Sequence, residues 1–391
     1  MDEGDLRGSD NRVLQAAVDQ VASLGGGTVN IGPGRFEMRN ALRLRDRVRI
    51  VGVRGETVLV ACEGARSRLN CDGDCNERQI TLDEPTLFHV GDGVSVQDDD
   101  AGGFTVTTAT LTSQIDEHTF TISAPLYVDY MIAKNASTQI AFPVVGGWQI
   151  KDAVVEGLTI EGNGSARGRL DGCRGGGIYL FECSDVAIRD CTVRNYNGDG
   201  ISFQVSENVT VEGCTVEGNT GLGLHPGSGS KQPVVRRNVS RGNGGDGLFV
   251  CWRVKHGLFE DNDVRENQGA GMSIGHKDTD NLFRNNTFTR NARAGIFFRN
   301  ESDPMGAHRN VFENNQVVDN GKGATGQRAE IEIRGHHRDL VFRGNTIGPK
   351  SAATSDSSSS VGILRSPNTD GLRSEGNTFV NVTRDVANRS E

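Results

Sequence analysis

Gly200-Ile201-Ser202-Phe203, Gly223-Leu224-His225-Pro226, Gly247-Leu248-Phe249-Val250, Gly271-Met272-Ser273-Ile274 and Gly295-Ile296-Phe297-Phe298 repeat one pattern, a glycine followed by an apolar residue. With Gly177-Ile178 placed first, they recur at intervals of 23, 23, 24, 24 and 24 residues. A second register agrees: Asn195, Asn219, Asn243, Asn267 and Asn291 stand 24 apart, and Asn320 follows after an insertion of five. A third column, Cys191, Cys214, Asn238, Asn262, Asn286 and Asn315, steps by 23, 24, 24, 24 and 29. So constant an interval excludes a chance asparagine-rich surface.

Between the markers lie short runs such as Val186-Ala187-Ile188 and Val209-Thr210-Val211, whose period of two means strand. A period near 24 is too short for a propeller blade and lacks the leucine signature of a leucine-rich repeat. It fits one turn of an all-β, right-handed parallel β-helix, with about three short strands joined by bends. Asparagine at the bends suits left-handed backbone geometry, and a stacked amide can bond its copy one turn away.

Composition bounds the rest. The chain has 391 residues, 52 of them glycine, with 6% aromatic and 35% hydrophobic residues. A formal charge of −9 and a pI near 5.5 argue against nucleic acid as partner. No apolar run reaches the 18 residues of a membrane span. Met1-Asp2-Glu3-Gly4 lacks the basic and apolar regions of a signal peptide. Of the eight cysteines, Cys71 and Cys75 can pair across their short loop, whereas Cys183, Cys191 and Cys214 fall in strand patterns as buried thiols.

Three segments follow. Residues 1–62 carry a capping helix and the first rungs. The helix spans residues 11–24, capped by Ser9 or Asp10 and ended by Gly25-Gly26-Gly27, and it covers the open end of the coil. Residues 63–147 break the period and read as an inserted β-hairpin or small β-subdomain. Residues 148–391 form the main β-helix with its C-terminal rungs, interrupted by a low-complexity loop at 351–360. In the insertion, Asp72, Asp74, Asn76 and Asp83 faintly match a calcium loop, but Glu77 stands where that loop needs glycine. They read first as a solvated acidic turn, with calcium left open and no other cofactor or metal expected.

The stretch Leu14-Gln15-Ala16-Ala17-Val18-Asp19, continued by Gly25-Gly26-Gly27-Thr28-Val29-Asn30-Ile31-Gly32-Pro33-Gly34-Arg35-Phe36, resembles the start of pectate-lyase-like β-helix proteins. That superfamily includes lyases, hydrolases, epimerases and phage tailspikes. The resemblance therefore implies a carbohydrate-active protein, secreted or periplasmic, with a polysaccharide or oligosaccharide partner, as monomer or homo-oligomer.

Stacking the rungs on the Gly-apolar pair places His225, Arg253, His276, Lys277, Arg299, Arg334 and His336 on one outer face, beside Asp278, Glu301 and Glu332. Arg253 falls directly below Lys277, and stacked like charges call for an anion. The bland alternative is a set of solvated cations, with His225 in a rigid loop and Trp252 covering a turn. As a uronate lyase or C5-epimerase, Lys277 or His276 would be the base, Arg299 or Arg334 the carboxylate clamp and His225 an acid or binder. Arg253, Trp252, Glu332, Arg334 and His336 would bind substrate. As a glycoside hydrolase, Asp278 and Glu301 would be the carboxylate pair. The acidic pair and histidine of polygalacturonase-like hydrolases are missing: the matching positions hold Asp199, Leu222, Asp246, Ala270 and Ala294, and Asp199 and Asp246 read as turn residues. A non-catalytic glycan-binding or structural β-helix is the third reading.

Overall fold

The computed structural model describes residues 5–321, 328–350 and 360–389. The N-terminal four residues and nearly all of the low-complexity run lie outside it. The fold class is the expected one, with three parallel sheets of eleven strands each and a single α-helix among the described residues. The described residues form two compact units, one up to Leu180 plus Thr192–Ser202, the other Phe181–Cys191 plus everything from Phe203 on.

One rung of the second unit shows how the period arises. Val234–Arg236 lies in the first sheet, Val239–Arg241 in the second and Leu248–Phe249 in the third, before Leu258–Glu260 begins the next rung. The buried residues are Val235 in the first strand, Ser240, whose hydroxyl donates to Gly247 O (2.7 Å), in the second and Leu248 in the third. The bends are made by single residues of positive φ, here Arg237 at 54°, Gly242 at 61° and His256 at 57°. Such residues bend the chain sharply from one sheet to the next, which keeps the strands short. Phe259, Phe283, Phe312 and Phe342 pack face to face inside, with centroids 4.6, 4.7 and 4.8 Å apart, the spacing of neighbouring strands.

The asparagines do not occupy the bends themselves. The left-handed residue precedes each of them: Arg237 before Asn238, Asp261 before Asn262, Glu266 before Asn267. The side chains then turn inward as buried amide ladders. Asn262 Nδ2 donates to Asn286 Oδ1 (2.9 Å) and to Val235 O (2.9 Å), and its Oδ1 accepts from Asn238 Nδ2 (3.0 Å) and Asn238 N (3.1 Å). One ladder runs from Cys214 N through Asn238 to Asn377. The other runs from Asn219 to Asn320 and ends on Glu330, wholly buried, whose carboxyl burial pushes up to about 7. Asn195 is itself left-handed (φ 53°) and bonds Glu161, so it belongs to the bend column and not to the ladder.

Outside, charges alternate. Arg189, Glu212, Arg236, Glu260, Arg284, Glu313, Arg343 and Glu375 face one another in register along the first sheet. Opposite charges in directly paired positions stabilise a sheet, and like charges destabilise it.

In the first unit, helix α1 (Asn11–Ser23) is capped by Asp10, which accepts from Arg12 N and Val13 N, and it buries Leu14 and Val18 on the first rungs. The insertion is a six-stranded antiparallel sheet, larger than a hairpin, in the order Arg66–Arg68, Ser137–Gln139, Gly93–Gln97, Thr107–Gln114, Thr119–Ile122, Gln79–Thr81. Its edges also meet: Asp83 N donates to Arg68 O (3.0 Å) and Asn70 N to Thr81 O (2.8 Å), closing a small barrel. Parallel pairing resumes at Val145–Trp148, slightly before the expected boundary. Cys71 and Cys75, which the spacing left able to pair, are exposed free thiols. Asp72 accepts from Ile132 N and Glu77 from Asp74 N, so these carboxylates hold backbone.

The ladders predict a large local penalty. Asn262→Ala strands the amide of Asn238, its backbone N–H and the Val235 carbonyl in the interior, at about 1–3 kcal/mol for each unsatisfied group. The denaturant midpoint should fall sharply, whereas Asn30→Ala, at an exposed strand position, should change it little; equal effects would contradict a ladder role.

Candidate active site

The expected site residues come together at the end of the third sheet, in the second unit. Register sets Phe249 beside Ser273, Ser273 beside Phe297 and Phe297 beside Glu332. After the strand Met272–Ile274 the chain turns through His276 (φ 45°) and Lys277 (φ 66°). Asp278 fastens that turn. Its Oδ1 accepts from Val254 N (2.9 Å), and its Oδ2 accepts from Gly275 N (3.1 Å) and Arg299 Nη2 (3.1 Å).

Asp278 has no exposure at all, and burial pushes its carboxyl up to about 7 against the pull of Arg299. A carboxylate without solvent contact cannot flank a glycosidic bond. This removes Asp278 from the catalytic set and with it the Asp278/Glu301 hydrolase pair. Arg299 is committed as well, donating to Val250 O (2.9 Å), Asp278 and Ser273 Oγ (3.3 Å) while lying over the Phe249 ring at 4.7 Å. It organises the site and is not free to clamp a substrate carboxylate. Ser273 in turn donates to Asp246 Oδ2 (2.7 Å), so Asp246 does more than turn the chain.

The accessible groups sit above this base. His276 is partly exposed, with Nδ1 3.6 Å from Glu301 Oε2, and Glu301 Oε1 lies 3.9 Å from Arg299 Nε. The His276 ring lies flat on Trp252, centroids 4.2 Å apart and planes within 6°. Desolvation, helped by Arg299, Arg253 and Lys277, holds the imidazole below its ordinary range against the pull of Glu301. Arg253 and Lys277 are exposed on adjacent rungs, since Arg253 N donates to His276 O (3.0 Å). Among the described residues neither lies within ion-pair distance of a carboxylate.

The remaining expectations separate from this cluster. His225 is only 4% exposed and meets Phe249 edge-on, centroids 5.1 Å apart, which corrects its reading as a proton donor to substrate. Glu332 is engaged by Arg334 (2.7 Å) and Arg389 (2.5 Å), a surface cluster beyond Phe297. His336 is tied through its backbone N–H to Glu301 O (2.8 Å). Its neighbour His337, expected with it only as part of a turn, is wholly buried. Nδ1 accepts from Ala307 N (2.9 Å), so Nε2 carries the proton and donates to Arg334 O (2.6 Å) and Arg299 O (3.1 Å). The doublet His336-His337 was the available signal.

Residues 156–333 match the family described as periplasmic copper-binding protein (NosD), and residues 69–240 match the right-handed β-helix region family. No curated protein matches the sequence significantly. In three dimensions the chain is similar to the A-module of the mannuronan C-5 epimerase AlgE4 from Azotobacter vinelandii (TM-score 0.60, 17% identity, 99% of this chain and 97% of that one). It is also similar to PfbA, a surface adhesin of Streptococcus pneumoniae (0.57, 14%, 99% and 91%), and to a glycoside hydrolase (0.55, 10%, 94% and 92%). At these identities the likeness establishes the fold. Among the described residues no group of three or more His, Cys, Asp or Glu side chains is placed to hold a metal. No described helix is long and apolar enough to cross a membrane.

The His337 geometry yields a pH prediction. Burial pushes its pKa down to about 4 from 6.5. The unfolded chain therefore binds the extra proton between those values, and the stabilisation, whole above pH 6.5, is lost as pH falls towards 4. The effect is on the order of 3 kcal/mol. The unfolding midpoint should drop more steeply from pH 7 to 4.5 in the wild type than in His337→Gln; parallel curves would contradict this.

Proposed function

We propose that this chain, a right-handed parallel β-helix of the pectate-lyase-like superfamily, acts on a uronate-containing polysaccharide by removing the proton at C5. One observation carries the reading: a neutral-leaning His276, pinned on Trp252 and facing Glu301, lies beside two exposed cations without carboxylate partners. An extracellular or periplasmic location suits such a substrate.

The chemistry follows from those roles. Arg253 neutralises the uronate carboxylate, which acidifies C5–H. His276 takes that proton on Nε2, since Nδ1 faces Glu301, and the electron pair of the broken C5–H bond moves into the carboxylate as an enediolate. Two outcomes share this intermediate. In elimination, the C4–O bond breaks, a C4=C5 double bond forms, and Lys277 gives its proton to the departing oxygen. In epimerisation, a solvent water gives a proton to C5 from the opposite face, and His276 releases the one it took to the resulting hydroxide. Glu301, Arg299 and Asp278 position His276 without touching substrate.

Incubation with alginate, pectate and other uronans tests the reading. A rise in ultraviolet absorbance marks the unsaturated elimination product, and solvent deuterium appearing at C5 without absorbance marks epimerisation. His276→Ala should lower the rate about 10²–10⁴-fold, the range of a general base. Reducing ends without absorbance would instead indicate hydrolysis, and binding without turnover would indicate a glycan-binding β-helix. Unchanged activity in His276→Ala, Lys277→Ala and Arg253→Ala would sink the site.

A further inference from the structure

We infer that Lys231, Arg253, Lys255 and Lys277 form a cationic stripe that holds a linear acidic polysaccharide across successive rungs beside His276. This rests on the uronate reading above and adds where the polymer is held outside the reacting residue. The stripe lies at the turn after the third sheet. There Ser184, Glu207, Lys231, Lys255 and Thr279 face one another through single bridges, one residue per rung, so Lys231 stacks directly on Lys255. Arg253 stacks on Lys277 in the same way, two residues nearer the site. All four side chains are exposed, and among the described residues none has a carboxylate within ion-pair distance.

The contrast within the molecule is what points to a ligand. Along the first sheet the same stacking alternates arginine with glutamate in every pair from Arg189 to Glu375. Where like charges meet elsewhere, as Arg241 beside Arg265 in the second sheet, each has its own carboxylate, Glu217 and Asp263; in this column lysine stacks on lysine without one, in a protein of net charge −9. Gly229, one rung beneath Arg253, adds no side chain there, and its φ of 83° favours glycine. The lysine column has defined ends, Glu207 on one side and the uncharged Thr279 on the other. From Lys231 to Lys277 the stripe spans about 10 Å, two strand spacings. A row of cations at one strand spacing suits a flexible polymer with one carboxylate per sugar ring. The exposed Trp252 beside Arg253 offers a ring face to such a sugar.

Lys255→Glu tests the stripe, because it converts the lysine column into the alternating pattern of the first sheet. Titration calorimetry with oligogalacturonate and oligoalginate should show at least ten-fold weaker binding than wild type. Wild-type binding should also weaken steeply as salt rises. The thermal midpoint should hold or rise, which separates lost binding from lost folding. Lys231→Glu should repeat both results. Wild-type binding with no turnover would support the stripe while removing the proposed reaction. Unchanged affinity in both variants, equal wild-type affinity for a neutral glucan, or tighter binding of duplex DNA would overturn it.

Discussion

The buried asparagine amide is the interaction on which this structure depends. An amide carries two donor hydrogens and two acceptor positions, and at Asn262 all four are used by the rungs on either side. Leaving any of them unmade in the interior would cost more than forming it contributes, so the ladder constrains register more than it adds stability. An insertion between rungs is tolerated where it leaves the ladder intact. The steps from Asn286 to Asn315 and from Asn291 to Asn320 are longer by five residues, yet their hydrogen bonds stay at 3.0 and 2.9 Å.

Strict register turns side-chain choice into a one-dimensional code. A residue type repeated at one rung position becomes a row. Phenylalanine makes the stacked interior of the second unit, and alternating arginine and glutamate make a self-neutralising exterior. At the end of the third sheet the rule changes. Acids there lie beneath bases: Asp278 and Glu301 hold Arg299 and His276, and Trp252 pins the imidazole from the other side. Cations then stand in a row without alternation. A row of like charges without carboxylates of their own is where ligand chemistry is best sought.

Much of the fold was legible in the spacing. The 24-residue interval identified the coil, and the stripe containing Leu14 and Val18 identified the capping helix. Asn195 shows the limit of counting. It keeps the interval of 24 yet sits in the bend column, because the first step between left-handed residues is 23. The insertion was visible as a break in period and a small β-element, but its closure into a barrel was not. Its closure depends on the pairing of residues 68–70 with 81–83, which have no periodic signature.

The sequence by itself determined that His225, Arg253, His276, Lys277, Arg299 and Glu301 would share one face, because rung position dictates the face. Only the tertiary structure decided which of them meet solvent. Asp278 and His337 look like any surface acid and histidine in the chain. Backbone N–H groups of Val254, Gly275 and Ala307 draw them inward, and those donors exist only once the turns have folded. Depth at a bend is set by hydrogen bonds between rungs, and residue spacing carries no record of it.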